Sequence, residues 1–486
     1  MENNLRMGKA IVIGGSMAGL MTARVLADFY VEVLVIDKDK YPEHPADRAG
    51  VPHGFHPHRF TNRGKMITEN LFPGYEDELA ALGSPSSLNK TAHIMNPYGI
   101  VSGPYMRNDY KFSRAVLEWV IRGRVSASPN VRFLQGHDVL ELIAAPDCSA
   151  ITGVRVRERK VTGEESVRMA DLIVDASGRT SRLPEWLESL GYEVPKPDLM
   201  KTAIGYSTRR YTLPPAMRHL VEEWDVVNIM GQPENNTFTG VFSFIENQVA
   251  ELLLYRPGGQ FPPTDAEAFE QTVAGLPSSL IAEIVKDLEP VGNPRGFRVA
   301  ELYRRHYEQV HHWPAGLLVL GDAYCIYDPI FGQGMTVAAI EAEILQSSLR
   351  EQLSDPKPQF EKRVLKRMQR EAITPAWWLN CAADLQWEGV EYEAGSEPLE
   401  GVDFCRKVMD MLLKEGTVNR NFQLYGMYWG VNTLSVPLGE LFNPQMIRAV
   451  LEASDEGKEI LAELLEQHHR PLEEILEKII PQKERP

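Results

Sequence analysis

The sequence predicts an α/β fold: a three-layer domain with a parallel sheet, assembled from several segments. It carries an inserted antiparallel-sheet α+β domain and is followed by a helical C-terminal region. Three observations predict this. Short apolar runs that read as buried strands lie far apart, at 10–13, 31–37, 171–178 and 316–322. Between the last two, the stretch 201–256 alternates in strand fashion, as in NTFTGVFSFIENQVAELLLY. After Gln346 the chain turns helical and polar, and it ends in EILAELLEQHHRPLEEILEKII. The corresponding division is 1–85, 110–195 and 295–350 for the discontinuous domain, 86–109 and 196–294 for the insertion, and 351–486 for the helical region.

Each element has a local reason. The four apolar runs end at a polar or turn residue, as buried parallel strands do. Within the insertion, TDAE at Thr264–Glu267 has the form of a capping box, and SSLIAEIVKDL reads as a second helix. The final segment is amphipathic with an acidic polar side, which favours packing on the body or on a second copy over contact with lipid.

Bulk composition narrows the function. A chain of 486 residues can form two or three packed domains. No apolar run approaches the length of a membrane span, and MENNLRMGKA lacks the layout of a secretory signal. The four cysteines, Cys148, Cys325, Cys381 and Cys405, form no CxxC, which argues against a disulfide framework or zinc site and for a reducing cytoplasm. A net charge of −16 excludes a phosphate-reading surface and anionic membrane docking, so neither nucleic acid nor membrane is an expected partner.

The opening stretch KAIVIGGSMAGLMTARVL is a strand, a glycine turn and a helix in order. In a GxGxxG turn the first glycine permits the bend, the second lets backbone approach a pyrophosphate, and the third lets helix pack on strand. Gly14 and Gly19 fill the first and third places, Ser16 the second, and Met17 and Ala18 complete the turn. Serine is small and its hydroxyl can donate to a phosphate. Asp37, followed by Lys38, stands 18 residues beyond Gly19, the separation expected of an acid that binds a ribose hydroxyl. A dinucleotide is therefore expected, with NAD and FAD both open.

The stretch GLLVLGDAYCIYDPIFGQGMTVAAIEAEIL decides between them. A buried strand delivers Asp322 at its carboxyl end, where α/β sheets bind ligands. A turn with Pro329, Gly332 and Gly334 then opens a helix whose small residues, Ala338, Ala339 and Ala342, allow close packing. Asp322 can accept hydrogen bonds from a polyol such as a ribityl chain, and a helix N-terminus suits the negative charge of a reduced flavin. NAD has no ribityl chain, so this element selects FAD. The structural alternative is that Asp322 only caps a turn.

Together, GGSMAG, DLIVDASGRTSRLPEWL and GDAYCIYDPIFGQGM make the chain resemble the FAD-dependent monooxygenases of the aromatic-hydroxylase type, with their glutathione-reductase-like, Rossmann-like FAD domain. Within that family DRAGVPHGFHPHRF and TPAWWLNCAADLQWEGVE resemble the branch of polyketide olefin epoxidases such as the lasalocid and monensin epoxidases. The resemblance spans nearly the whole chain. It implies that Arg48 lies near the FAD pyrophosphate or ring, that Arg114 reaches the cofactor, and that Gly332–Met335 line the ring. Surface ion pairs are the alternative role for either arginine. The chain departs from the usual pattern at Ser16, and at Ala176–Ser177, where the hydroxylases often carry DG.

The implied chemistry is insertion of one oxygen atom from O2, through a flavin C4a-hydroperoxide, into an apolar small molecule of secondary metabolism, by epoxidation or hydroxylation. The adduct must be kept dry. Phe238, Phe242, Phe244, Trp377 and Trp378 are candidates for an apolar wall, with ordinary core packing as the alternative. No base for a phenol stands out, which leans towards an olefin. His53, His56 and His58 lack the supporting ligands of a metal site and read as a loop over the flavin edge, with His56 a pocket candidate. Lys90 suggests the relay lysine of flavin halogenases, but the WxWxIP signature is absent. NADPH or NADH, acting directly or through a flavin reductase, is the expected electron source, since no second glycine turn is visible. A double-bond reductase, a halogenase-like enzyme and a non-catalytic FAD module are the competing classes.

Overall fold

A computed structural model describes residues 7–160, 163–395 and 399–481. The apolar runs assemble into a five-stranded parallel sheet in the order Leu317–Val319, Leu172–Asp175, Met7–Ile13, Tyr30–Asp37, Val131–Gln135. Helices Met17–Phe29, Arg114–Ser126 and Gly334–Ser354 pack together as one layer. The antiparallel strands His137–Ala144, Ile151–Glu158 and Glu165–Met169 form another, touching strands Tyr30–Asp37 and Leu172–Asp175. Residues more than 300 apart in the chain are thus neighbours: the helices Met17–Phe29 and Gly334–Ser354 lie side by side. The run expected to end at Asp322 is shorter as a strand. It stops at Val319, and Gly321, at φ +64°, turns the chain so that Asp322 sits in a short 3-10 turn, Gly321–Ala323.

A second sheet has seven strands, in the order Glu289–Val299, Ile204–Thr212, Val249–Arg256, Thr239–Ile245, Trp224–Ile229, Thr91–Asn96, Gly99–Pro104. The alternating stretch is a hairpin of Thr239–Ile245 against Val249–Arg256. The sheet is mixed and not purely antiparallel, because Trp224–Ile229 pairs with Thr91–Asn96 in parallel. One face packs on helices Ala266–Ala274 and Leu280–Val285, burying Phe242, Phe244, Leu252 and Leu254 against Phe269 and Ile281. The first of these helices is capped by Asp265 rather than Thr264. Its carboxylate accepts the N–H groups of Glu267 and Ala268 at 3.0 Å each, and a charged cap also complements the helix dipole.

Helix Phe360–Met368 runs through a π turn, Gln369–Ile373, into Thr374–Asp384. Pro375 accounts for the irregularity, since it has no N–H for the preceding turn. The C-terminal helices, among them Val402–Val418, Asp455–His468 and Leu472–Ile479, share a core of Trp378, Phe404, Leu412, Leu441, Ile447 and Ile475. The acidic amphipathic tail therefore packs on its own chain. All four cysteines are free thiols, and among the described residues no helix is long and apolar enough to cross a membrane.

Candidate cofactor and substrate site

The glycine turn is fixed by sterics. Gly14 has φ +101°, and a Cβ there would lie 2.4 Å from the Ala176 carbonyl oxygen. A Cβ on Gly19 would lie 1.8 Å from the Gly14 carbonyl oxygen, which is the close helix–strand approach expected of the third glycine. Gly15, which the spacing does not single out, is equally constrained: a Cβ would meet the Tyr41 hydroxyl at 1.8 Å. Its N–H donates to Asp37 Oδ2 at 2.9 Å, tying the end of the second strand to the turn. Ser16 occupies ordinary extended backbone. Its Oγ accepts from Arg114 Nη2 at 2.7 Å and donates to Glu118 Oε2 at 3.2 Å.

Around it lies a buried charge network. Arg48 bonds Glu118 Oε1 through Nε at 2.6 Å and Asp39 Oδ2 through Nη1 at 2.7 Å, with Asp37 at 3.4 Å. Burial works against its charge, and Glu118 and Asp37 more than offset that, raising its pKa. Arg114 is also buried, and there burial prevails over Glu118, lowering its pKa. Neither arginine forms an exposed surface pair. The Nε of Arg114 lies 3.5 Å from Glu118 Oε2, an ion pair without hydrogen-bond geometry, so the buried guanidinium keeps donor capacity towards the cavity it lines.

The second element faces the first. The Asp322 carbonyl accepts from the Tyr303 hydroxyl at 2.7 Å, and the residue lines the same cavity; burial raises its carboxyl's pKa, opposed by Arg114 and Arg179. Asp328 caps the turn Pro329–Phe331 by accepting the Ile330 N–H at 2.9 Å. Gly332, at φ +62°, then leads into helix Gly334–Ser354, and a Cβ on Gly334 would meet nothing within 4 Å. The N-termini of two helices and two carboxylates thus open on one space.

That space is a cavity of about 1360 Å³. Gly14, Ser16, Met17, Ala18, Asp37, Lys38, Arg48, Arg114, Asp322, Pro329, Gly332, Gly334 and Met335 all line it; Gly19 lies beneath, where it serves packing. His53, His56 and His58 line it as well. His56 Nδ1 lies 2.8 Å from Thr208 Oγ1, and His58 Nδ1 donates to the His56 carbonyl at 2.8 Å. Burial, aided by nearby arginines, holds His53 and His56 down at about 3, so the rings are neutral at physiological pH. Among the described residues no cluster of His, Cys, Asp or Glu has the arrangement to hold a metal.

The predicted wall needs correction. Phe242 and Trp377 do not line the cavity, nor do Phe238, Phe244 or Trp378. The alternation is real but its phase is opposite: Val241 and Ser243 line the cavity while Phe242 and Phe244 pack under the sheet. Trp377 is fully buried in the core beneath. The aromatic wall comes from helix Phe422–Asn432, through Phe422, Tyr425, Tyr428 and Trp429. Its sequence, FQLYGMYWGVN, is apolar all round, a signal that one face meets something other than a single core. Lys90 is outside the lining, with Nζ 3.6 Å from Glu222.

These residues fit FAD. Free N–H groups of two helix ends, the buried Arg114 guanidinium and a buried, unpaired Ser177 Oγ suit a diphosphate-linked ligand, and Asp37 and Asp322 suit its hydroxyls.

Comparison with known proteins agrees. The family model FAD_binding_3, described as FAD binding domain, matches residues 7–360. Protein Rv3254 of Mycobacterium tuberculosis (strain ATCC 25618 / H37Rv) is 30% identical over 404 residues, covering 80% of this chain and 82% of that one. A triple mutant of the flavin-dependent brominase Bmp2 shares the fold at 15% identity and a TM-score of 0.60, over 95% of this chain and 99% of that one. So does PqsL, a probable FAD-dependent monooxygenase from Pseudomonas aeruginosa, at 17% identity and a TM-score of 0.55, over 87% and 100%. The chain belongs to the FAD_binding_3 family, the aromatic-hydroxylase-like FAD-dependent monooxygenases.

Proposed function

We propose that the protein inserts one oxygen atom from O2 into an apolar small molecule, by epoxidation or hydroxylation. FAD lies along the arm lined by the two turns, and the substrate lies against the mixed sheet and helix Phe422–Asn432. One observation carries the reading: a single cavity joins both surfaces, and at about 1360 Å³ it exceeds the ~300–1,000 Å³ of an ordinary small-molecule site.

Bound FAD supplies the two-electron redox centre that activates O2. The chain's own residues bind and shield. N–H groups at the start of helix Met17–Phe29, with Arg114, hold the diphosphate; Asp37 takes the ribose and Asp322 the ribityl hydroxyls. The N-terminus of helix Gly334–Ser354 offers positive potential to the ring. Val241, Leu253, Tyr428 and Trp429 keep water from the reacting atoms, and the neutral histidines close the loop side without adding charge. NADPH or NADH, directly or through a flavin reductase, supplies the electrons.

The test is to load the protein with FAD, reduce it, and admit isotopically labelled O2 in the presence of apolar olefins and phenols. One labelled oxygen atom in a product supports the reading. A saturated, unlabelled product would favour a double-bond reductase, and reoxidation yielding only peroxide with every compound would contradict oxygen insertion.

A further inference from the structure

The cavity wall built from residues 104–111 carries charge that the reading above does not use. Four cations line the cavity on or beside it: Arg59, Lys65, Arg107 and Lys111. Three of them are matched by acids. Lys65 Nζ lies 3.0 Å from Asp109 Oδ1 and 3.1 Å from Glu76 Oε1. Arg107 Nη2 lies 3.2 Å from Asp109 Oδ2, and Lys111 Nζ lies 3.1 Å from Asp225 Oδ1. Arg59 is unmatched. Among the described residues its guanidinium forms no ion pair, and its one hydrogen bond runs from Nη2 to the Tyr105 hydroxyl at 3.1 Å. That hydroxyl also accepts from Arg107 Nε at 3.0 Å and donates to Asp109 Oδ2. Burial raises the phenol's pKa, so it stays neutral and gives Arg59 no counter-charge.

We propose that Arg59 is the anion-recognising residue of the substrate cavity, and that the substrate is an apolar molecule bearing one carboxylate. This rests on the oxygen-inserting reading and narrows its substrate class. Four cations against the three acids Asp109, Glu76 and Asp225 leave one positive charge. That excess suits a singly charged anion better than a phosphate monoester, which carries nearly two charges. Only one N–H donor of Arg59 is engaged, so an edge of the guanidinium remains as the planar fork that a carboxylate accepts. Burial disfavours its charge, and Tyr105, Asp225 and Asp109 more than offset that, so Arg59 stays charged.

The position suits the substrate rather than the diphosphate. Arg59 stands beside the second turn, where its carbonyl oxygen would lie 3.6 Å from a Cβ on Gly332. It shares no hydrogen bond with Ser16 or Arg114, the groups that face the first turn. An apolar body held by its carboxylate at Arg59 would lie along Ile94 and Val101, which line the cavity on the two strands that lead to this wall. The net charge of −16 repels an anion at long range, so a preference for one must come from this local cation.

The test titrates FAD-loaded protein calorimetrically with 2-naphthoate and with 2-naphthamide, which has nearly the same shape and no charge. Wild type should bind 2-naphthoate about tenfold or more tightly than the amide, as hydrogen bonds between charged groups allow. Arg59→Gln should bring the two affinities within about twofold while leaving FAD affinity as it was. Arg107→Gln removes a guanidinium already matched by Asp109, and should keep the preference. Wild type that binds 2-naphthoate no tighter than the amide overturns this proposal alone. So does a preference that survives Arg59→Gln, or one that vanishes as fully in Arg107→Gln. Loss of FAD rather than 2-naphthoate from Arg59→Gln would assign the arginine to the cofactor and overturn it too. Failure of wild type to bind FAD would instead sink the oxygen-inserting reading.

Discussion

The Arg114 guanidinium donates to Ser16 Oγ at 2.7 Å, joining the helix that starts at residue 114 to the place in the glycine turn where a glycine is usual. The same hydroxyl donates to Glu118, so the serine belongs to the buried charge network. Ser16→Ala should leave both charged partners short of one bond and lower stability by about 1.5–3 kcal/mol. FAD binding should survive, because the backbone at Ser16 needs no glycine. Urea unfolding of the apoprotein and a FAD titration check both outcomes.

Gly19→Ala should abolish FAD binding and destabilise the fold, since its Cβ would lie 1.8 Å from a backbone oxygen that cannot swing away. Gly123→Ala is the control. It lies in helix Arg114–Ser126 with nothing within 4 Å of its Cβ, so it should stabilise by about 0.5–1 kcal/mol. Melting temperatures of the two variants must move in opposite directions.

The phase of the hairpin can be tested with 1-naphthol as an apolar probe. Trp429→Ala should weaken its binding about tenfold or more while sparing FAD, as truncation of an aromatic anchor does. Phe242→Leu, beneath the sheet, should leave probe affinity within about twofold and lower only stability. Fluorescence titration distinguishes these from the reverse pattern.

That the two turns meet at one cavity was legible, because their constraints are local. Gly14, Gly19, Asp37 and Asp322 are dictated by turn geometry and by strand ends, and both can be read from a few consecutive residues. The substrate half was not. Period-two alternation says that Phe242 and Val241 face opposite ways, but not which face is roofed by the helices of residues 266–285. Thr264 and Asp265 both suit a cap, and only the backbone decides for the aspartate. Asp384 lines the cavity, yet it lies in CAADLQWEG with no spacing to mark it.

His56 gives a pH signature. Its pKa falls from 6.5 to about 3 on folding, so between those values the unfolded chain binds a proton that the folded one does not. Stability contributed by the neutral ring is complete above about 6.5 and is lost as pH falls towards 3. His56→Asn should reduce the slope of unfolding free energy in that window by about 1.4 kcal/mol per pH unit. Chemical denaturation at pH values across the window reads the slope directly.

Titration of the apoprotein with FAD, followed by visible absorbance and flavin fluorescence, bears most directly on the two-turn grip. One equivalent should bind and stay yellow through desalting, and Asp322→Ala should weaken it by about tenfold or more. A wild-type protein that remains colourless with excess FAD, or an Asp322→Ala variant that binds it as tightly as wild type, would contradict that arrangement.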